Sequence, residues 1–145
     1  MEAKSFAVGV RMEHPQAMID EFQYGMKNDG TLPPASYKLT KNLACGRGVY
    51  TFCMCPGGYV VNASSEPGRL AVNGMSYHDR DGLNANSAVI VTVTPQDYGG
   101  TGVLAGMEFQ RRLEEAAYRL GKGRIPVQLF EDFCKNRPSK GPGDI

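Results

Sequence analysis

Apolar and polar positions alternate most densely between Gly48 and Ser76, where three short apolar runs, Val49–Met54, Tyr59–Ala63 and Leu70–Val72, are separated by Pro-Gly-Gly and Glu-Pro-Gly-Arg. Runs rich in Val, Tyr and Phe between such breakers predict short strands joined by tight turns, hence a small antiparallel sheet. In Glu66-Pro67-Gly68-Arg69 proline presets φ and glycine takes the positive φ that follows, which is a type II turn. In Cys55-Pro56-Gly57-Gly58 two glycines strip the backbone bare beside a sulfur. Either a flat ligand approaches closely there, or the pair makes a sharp turn and nothing more.

The flanking pattern supplies the other elements. From Ser5 to Met12, Phe6, Val8, Val10 and Met12 alternate with Ala7, Gly9 and Arg11, predicting a strand with one face in the core. Glu13 to Gly25 reads as a short amphipathic helix, with Pro15 at its start, Met18, Ile19 and Phe22 inward and Gly25 closing it; His14 sits at its cap. Met26–Pro34 is a loop and Ala35–Thr40 a weak strand. Gly74–Asn86 reads as a long polar connection containing His78, Asp79 and Arg80, suited to binding or to an interface. Ser87–Thr94, β-branched almost throughout, belongs in the middle of the sheet, and Pro95–Gly102 leaves it as a glycine-rich loop. Gly106–Leu120 is the main helix, with Phe109, Leu113, Ala116, Ala117 and Leu120 inward and Arg111, Glu115 and Arg119 paired outside. Gly121-Lys122-Gly123 ends it, Pro126–Cys134 predicts a short helix, and a Pro/Gly/Ser tail follows. The fold class is α+β: an antiparallel or mixed sheet, open or barrel-like, packed with two or three helices.

Size and charge narrow the function classes. The 145 residues fit one domain, 1–137, followed by a linker tail, 138–145. Sixteen Lys+Arg against fifteen Asp+Glu give a formal charge of +1, which provides no field for nucleic acid or an anionic membrane. No apolar run reaches the roughly 20 residues of a membrane span, and Met1-Glu2-Ala3-Lys4 is no export signal, so a cytoplasmic location is expected. The cysteines, Cys45, Cys53, Cys55 and Cys134, are then reduced thiols, the outlying two buried and inert. Cys53 and Cys55 leave one strand face together but lack zinc-ligand spacing, and no metal site is expected. Arg47, between two glycines, is either an exposed loop arginine or an anion ligand.

A complete nucleotide-dependent enzyme needs a Gly-x-Gly-x-x-Gly turn to bring backbone amides to a pyrophosphate, and none is present. Yet Ser5–Gln16, Gly48–Val61, Ala63–Glu66, Val72–Ser76 and Asn84–Ala88, in that order, resemble the predicted bacterial FAD-dependent dehydrogenases, also called NAD(FAD)-utilising dehydrogenases. In that family an inserted domain interrupts a FAD-binding Rossmann-type domain, and this chain is similar to the insert alone. The resemblance implies an oxidoreductase fragment that covers the flavin and shapes the pocket of a small-molecule substrate, with no activity in isolation. It implies FAD in the full-length parent, none on this chain, and leaves NAD or NADP as donor open. Carried over, the flavin-facing edge is Cys55, Pro56, Gly57, Gly58, Asn73, Gly74, Met75 and Ser76, with Arg11, Arg47 and Arg80 toward an anionic substrate or the FAD phosphates. Two other classes stand beside this one: an autonomous module binding a small molecule or protein through the Gly74–Asn86 loop, and a thiol-redox or zinc protein using Cys53 and Cys55.

Overall fold

The β-branched run before Pro95 becomes an inner strand, because apolar side chains on both faces need cover on both sides. The structure, a computed structural model, describes residues 3–99 and 102–140. The start at Met1-Glu2, Gly100 and Thr101 in the expected glycine-rich loop, and 141–145 of the expected tail lie outside them. The described strands are β1 (Phe6–Pro15), β2 (Thr40–Asn42), β3 (Gly48–Cys55), β4 (Gly58–Asn62), β5 (Val72–Ser76) and β6 (Asn84–Val93). The helices are α1 (Gln16–Tyr24), α2 (Pro95–Tyr98), α3 (Ala105–Leu120) and α4 (Phe130–Cys134). β1, β6, β3 and β2 form one antiparallel sheet in that order, while β4 pairs with β5 in a separate two-stranded sheet. The fold is α+β with open sheets, not a barrel, and two of its four described helices are only about a turn long.

The three apolar runs of the central stretch therefore do not make one sheet. β3 pairs with β6, and the Pro56-Gly57 turn, with Gly57 at φ +53°, carries the chain out of that sheet. The third strand starts at Val72, because Leu70 is buried and gives its N–H to the Glu114 carbonyl of α3 at 3.1 Å. The type II turn forms as expected: Gly68 has φ +74° and Arg69 N–H donates to the Glu66 carbonyl at 3.3 Å. The connection expected from Gly74 to Asn86 is shorter than that, residues 77–83, because its two ends are taken up by β5 and β6.

The helices depart from their patterns in an informative way. β1 runs on to Pro15, so His14 is a strand residue rather than a cap, and Gly25 closes α1 in the left-handed region with its N–H on the Glu21 carbonyl. α1 buries Gln16 and Asp20 and turns Met18 and Phe22 outward, Phe22 being 89% exposed. No residue of α3 is buried. Phe109 meets Phe6 and Tyr98 at ring-centroid distances of 6.2 Å each, but Leu113 and Leu120 face solvent. Its charges also look elsewhere: Arg111 pairs with Glu66 and Glu115 with Arg69, fastening α3 to the turn before β5 rather than to itself. α4 begins only at Phe130.

Candidate functional site

Residues opposite one another in an antiparallel pair share a face, and so do alternate residues along each strand. Arg11 opposes Ala88 and Glu13 opposes Asn86, so Arg11, Glu13, Asn84 and Asn86 lie on one face of the larger sheet. β4 and β5 cross that face, with Val60 N–H donating to Glu13 Oε2 at 2.9 Å and Asn84 Nδ2 donating to Glu13 Oε1 at 2.8 Å. What the alternation marked as the non-core side of β1 is a polar seam between two sheets.

Arg11 is the centre of the seam. Its Nε donates to Asn86 Oδ1 at 2.7 Å, Nη2 to the Cys53 carbonyl at 2.5 Å and to Cys55 Sγ at 3.2 Å, and Nη1 to Asn73 Oδ1 at 3.3 Å. The planar guanidinium suits acceptors spread over three strands. A bulge between Phe52 and Cys55, with Cys53 at φ +47°, interrupts β3 at this point. The simple strand alternation that would send both sulfurs from one face does not hold: Cys53 is exposed and Cys55 is half-buried beside Arg11. Gly74 is glycine because a Cβ there would come 1.9 Å from Asn86 Oδ1 and 2.1 Å from Arg11 Nη2.

A second polar layer holds the Cys55–Gly58 turn. Gln16, buried at the start of α1, accepts the Gly57 N–H at 2.9 Å and donates to Asp20 Oδ1 and to the Ala35 carbonyl. Asp20 Oδ1 also accepts the Ala35 N–H at 2.7 Å. This explains why α1 turns its polar side inward: buried amide and carboxylate groups need these partners. On β6 the buried Ser87 hydroxyl lies 2.7 Å from Tyr37 OH, which lies 2.7 Å from His14 Nε2. Above the seam Tyr59 and Tyr77, with ring centroids 5.0 Å apart, line an open cleft of about 530 Å³ together with Glu13, Asp81, Leu83 and Asn84.

Most of the sequence-predicted edge gathers here. Cys55, Asn73 and Gly74 touch or crowd Arg11; Met75 and Ser76 pair across β4–β5 with Tyr59 and Gly58. Pro56, Gly57 and Gly58 are buried, and a Cβ on Gly57 would meet the Arg80 carbonyl at 1.8 Å, one on Gly58 the Met75 carbonyl at 2.0 Å. These two glycines make room for the chain's own backbone. Arg80 is exposed, and its backbone caps Gly57. Arg47 lies apart, not as a free loop arginine: it donates to the Thr92 carbonyl at 2.6 Å and grips both oxygens of Asp97 at 2.6 and 2.9 Å. That fork, then the Thr94 N–H, holds the Asp97 carboxyl well below the usual aspartate range. Cys45 and Cys134 are exposed rather than buried, since each falls outside the paired strands and the core. No group of three or more His, Cys, Asp or Glu among the described residues is arranged to hold a metal ion. Sequence reasoning missed Glu13, Gln16 and Asp20, and placed Asn84 and Asn86 in a polar binding connection rather than on a strand, although the Asn-Ala-Asn spacing of 84–86 puts two amides on one strand face.

A family model described as FAD-dependent protein, C-terminal domain-like, matches residues 5–145. The chain belongs to that family. A Clostridium beijerinckii protein described as uncharacterized is 55% identical to it over 149 residues, a match covering 100% of this chain and 28% of that protein. The chain therefore spans little more than a quarter of this relative. Against the FAD of the family's description, this FAD-dependent-protein domain offers a partial fit. Gly57 and Gly58, filled from within, are no cradle for a pyrophosphate, whereas Arg11, Asn73 and the tyrosine-lined cleft present donors and flat apolar surface at the domain's edge. No helix among the described residues is long and apolar enough to cross a membrane.

Proposed function

We propose that this domain is inserted in, and packs against, a FAD-binding Rossmann-type domain of the same polypeptide, covers the flavin and shapes the pocket of a small-molecule substrate. The whole is then a cytoplasmic bacterial dehydrogenase. The observation that carries the reading is the family match over residues 5–145 in a chain equal to 28% of its relative's length. Its apolar surface supports the same reading, because Phe22, Leu83 and Leu120, at 89%, 90% and 77% exposed, are costly to leave in water and are suited to a domain interface. In this arrangement hydride chemistry belongs to the flavin, and the domain contributes position, polarity and exclusion of water. The Asn73–Met75 strand is the flavin-facing edge, since Asn73 and Met75 are its exposed members and Cys55 and Gly74 lie behind them.

The test is expression of the entire reading frame that contains this segment beside the 145 residues alone. The entire product should carry an oxidised-flavin spectrum and the 145 residues should be colourless. Tight FAD binding by the 145 residues, or a flavin-free entire product, would overturn the proposal.

A further inference from the structure

We infer that the exposed edge of Arg11 is a carboxylate-binding site. Arginine has five N–H donors and no acceptor. Nε and both N–H groups of Nη2 are committed to Asn86, Cys53 and Cys55, while Nη1 makes only the long, solvent-facing contact of 3.3 Å to Asn73, leaving one of its N–H groups unused. None of the four acceptors is a carboxylate. No carboxylate lies within ion-pair distance of Arg11 among the described residues, and Glu13, two residues along the same face, is occupied by Val60 and Asn84.

The second observation is independent. Asn86 is wholly buried, its Oδ1 spent on Arg11, and its Nδ2 has no hydrogen-bond partner. An orphaned buried donor is unusual and calls for an explanation. The seam thus has more donors than acceptors around Arg11, whose positive charge no carboxylate of the described residues offsets. The complement is a group that only accepts and carries a negative charge, and a carboxylate is the smallest planar group that meets both needs on the flat guanidinium edge. It enters at the solvent side, displaces the weak Asn73 contact and accepts from the two N–H groups of Nη1. As a statement of substrate class, a small carboxylate-bearing molecule, this rests on the flavoprotein reading above; as a binding site on this chain it does not.

The experiment needs no flavin. Side-chain ¹⁵N NMR signals of Arg11, Asn73 and Asn86 in the 145-residue chain are followed while acetate, and separately inorganic phosphate, replaces chloride at constant ionic strength. Acetate should shift them saturably. Asn73→Asp, which places a resident carboxylate at the same edge without disturbing a buried residue, should fold and weaken acetate binding at least about tenfold, and Arg11→Met should abolish it. Absence of a saturable shift, an unchanged titration in Asn73→Asp, or tighter binding of phosphate than acetate would overturn the site. Failure here leaves the flavin reading standing, and a flavin-free entire product leaves this site standing.

Discussion

Arg11 Nε and Asn86 Oδ1 lie 2.7 Å apart, bonding β1 to β6 by side chains two residues out of register with the backbone pairing of Arg11 with Ala88. The bond spans 75 residues of sequence and sits under β5, so it ties both sheets to one guanidinium.

Removing that guanidinium should cost more than any single bond in the list of its contacts. Arg11→Met strands the buried side-chain carbonyl of Asn86, and one unsatisfied buried acceptor alone costs about 1–3 kcal/mol. Arg11→Lys keeps charge but cannot reach three strands in one plane, so it should recover only part of the loss. Asn73→Ala, at the exposed edge, should change stability by less than about 0.5 kcal/mol. Urea unfolding of the three variants checks the order; equal losses for Asn73→Ala and Arg11→Met would show that Arg11 does not hold the seam.

Gly57→Ala should be far more damaging than Gly102→Ala. At Gly57 a Cβ would meet the Arg80 backbone at 1.8 Å with φ at +53°, whereas at Gly102 nothing lies within 4 Å. Backbone has no rotamer to escape by, so a loss on the order of 3 kcal/mol or more is expected at Gly57 and under about 1 kcal/mol at Gly102. Gly121 makes a poor control, because its Cβ would come 1.7 Å from the Arg124 carbonyl. Thermal unfolding of both variants decides it.

Local signals in the sequence were legible where one residue type settles the geometry. The Ser87–Thr94 run, Gly25 and the Pro67-Gly68 turn all sit as their chemistry requires. The site was only half legible. Cys55, Asn73 and Gly74 were marked from turns and likeness, but alternation put Arg11 on the side of β1 away from the core and could not reveal that β4–β5 covers it. Nor could period 3.6 reveal that α1 buries Gln16 and Asp20 while Phe22 faces out, because the partners of those polar groups, Gly57 and Ala35, are distant in sequence. The bulge at Cys53 left no pattern at all.

Asp97 gives the fold a pH dependence confined to acid. Its carboxyl is depressed by the Arg47 fork and then the Thr94 N–H, so its folded value lies below its unfolded one, near the ordinary 3.8. The stabilisation is then full above the unfolded value and fades as pH falls through the folded one. Asp97→Asn should lower Tm by a constant amount from pH 5 to 8, about the range over which the carboxylate stays ionised, and the gap to wild type should close below about pH 4. A gap independent of pH down to about 2 would mean that the ion pair contributes nothing.

Phe22 separates the domain from its proposed surroundings. It is 89% exposed on α1, so within the 145 residues Phe22→Ser removes almost no buried surface and should change stability by less than about 0.5 kcal/mol. If the apolar side of α1 is covered by the FAD-binding domain, the same substitution in the entire polypeptide forfeits the burial of an aromatic side chain, about 1.5–3 kcal/mol. Thermal unfolding of the variant in both contexts reads the difference. The expected pattern is a near-zero shift in the short chain and a drop of several degrees, with flavin released earlier on heating, in the entire protein. Equal shifts in the two contexts would place the docking surface elsewhere, with Leu83 and Leu120 next in line by exposure.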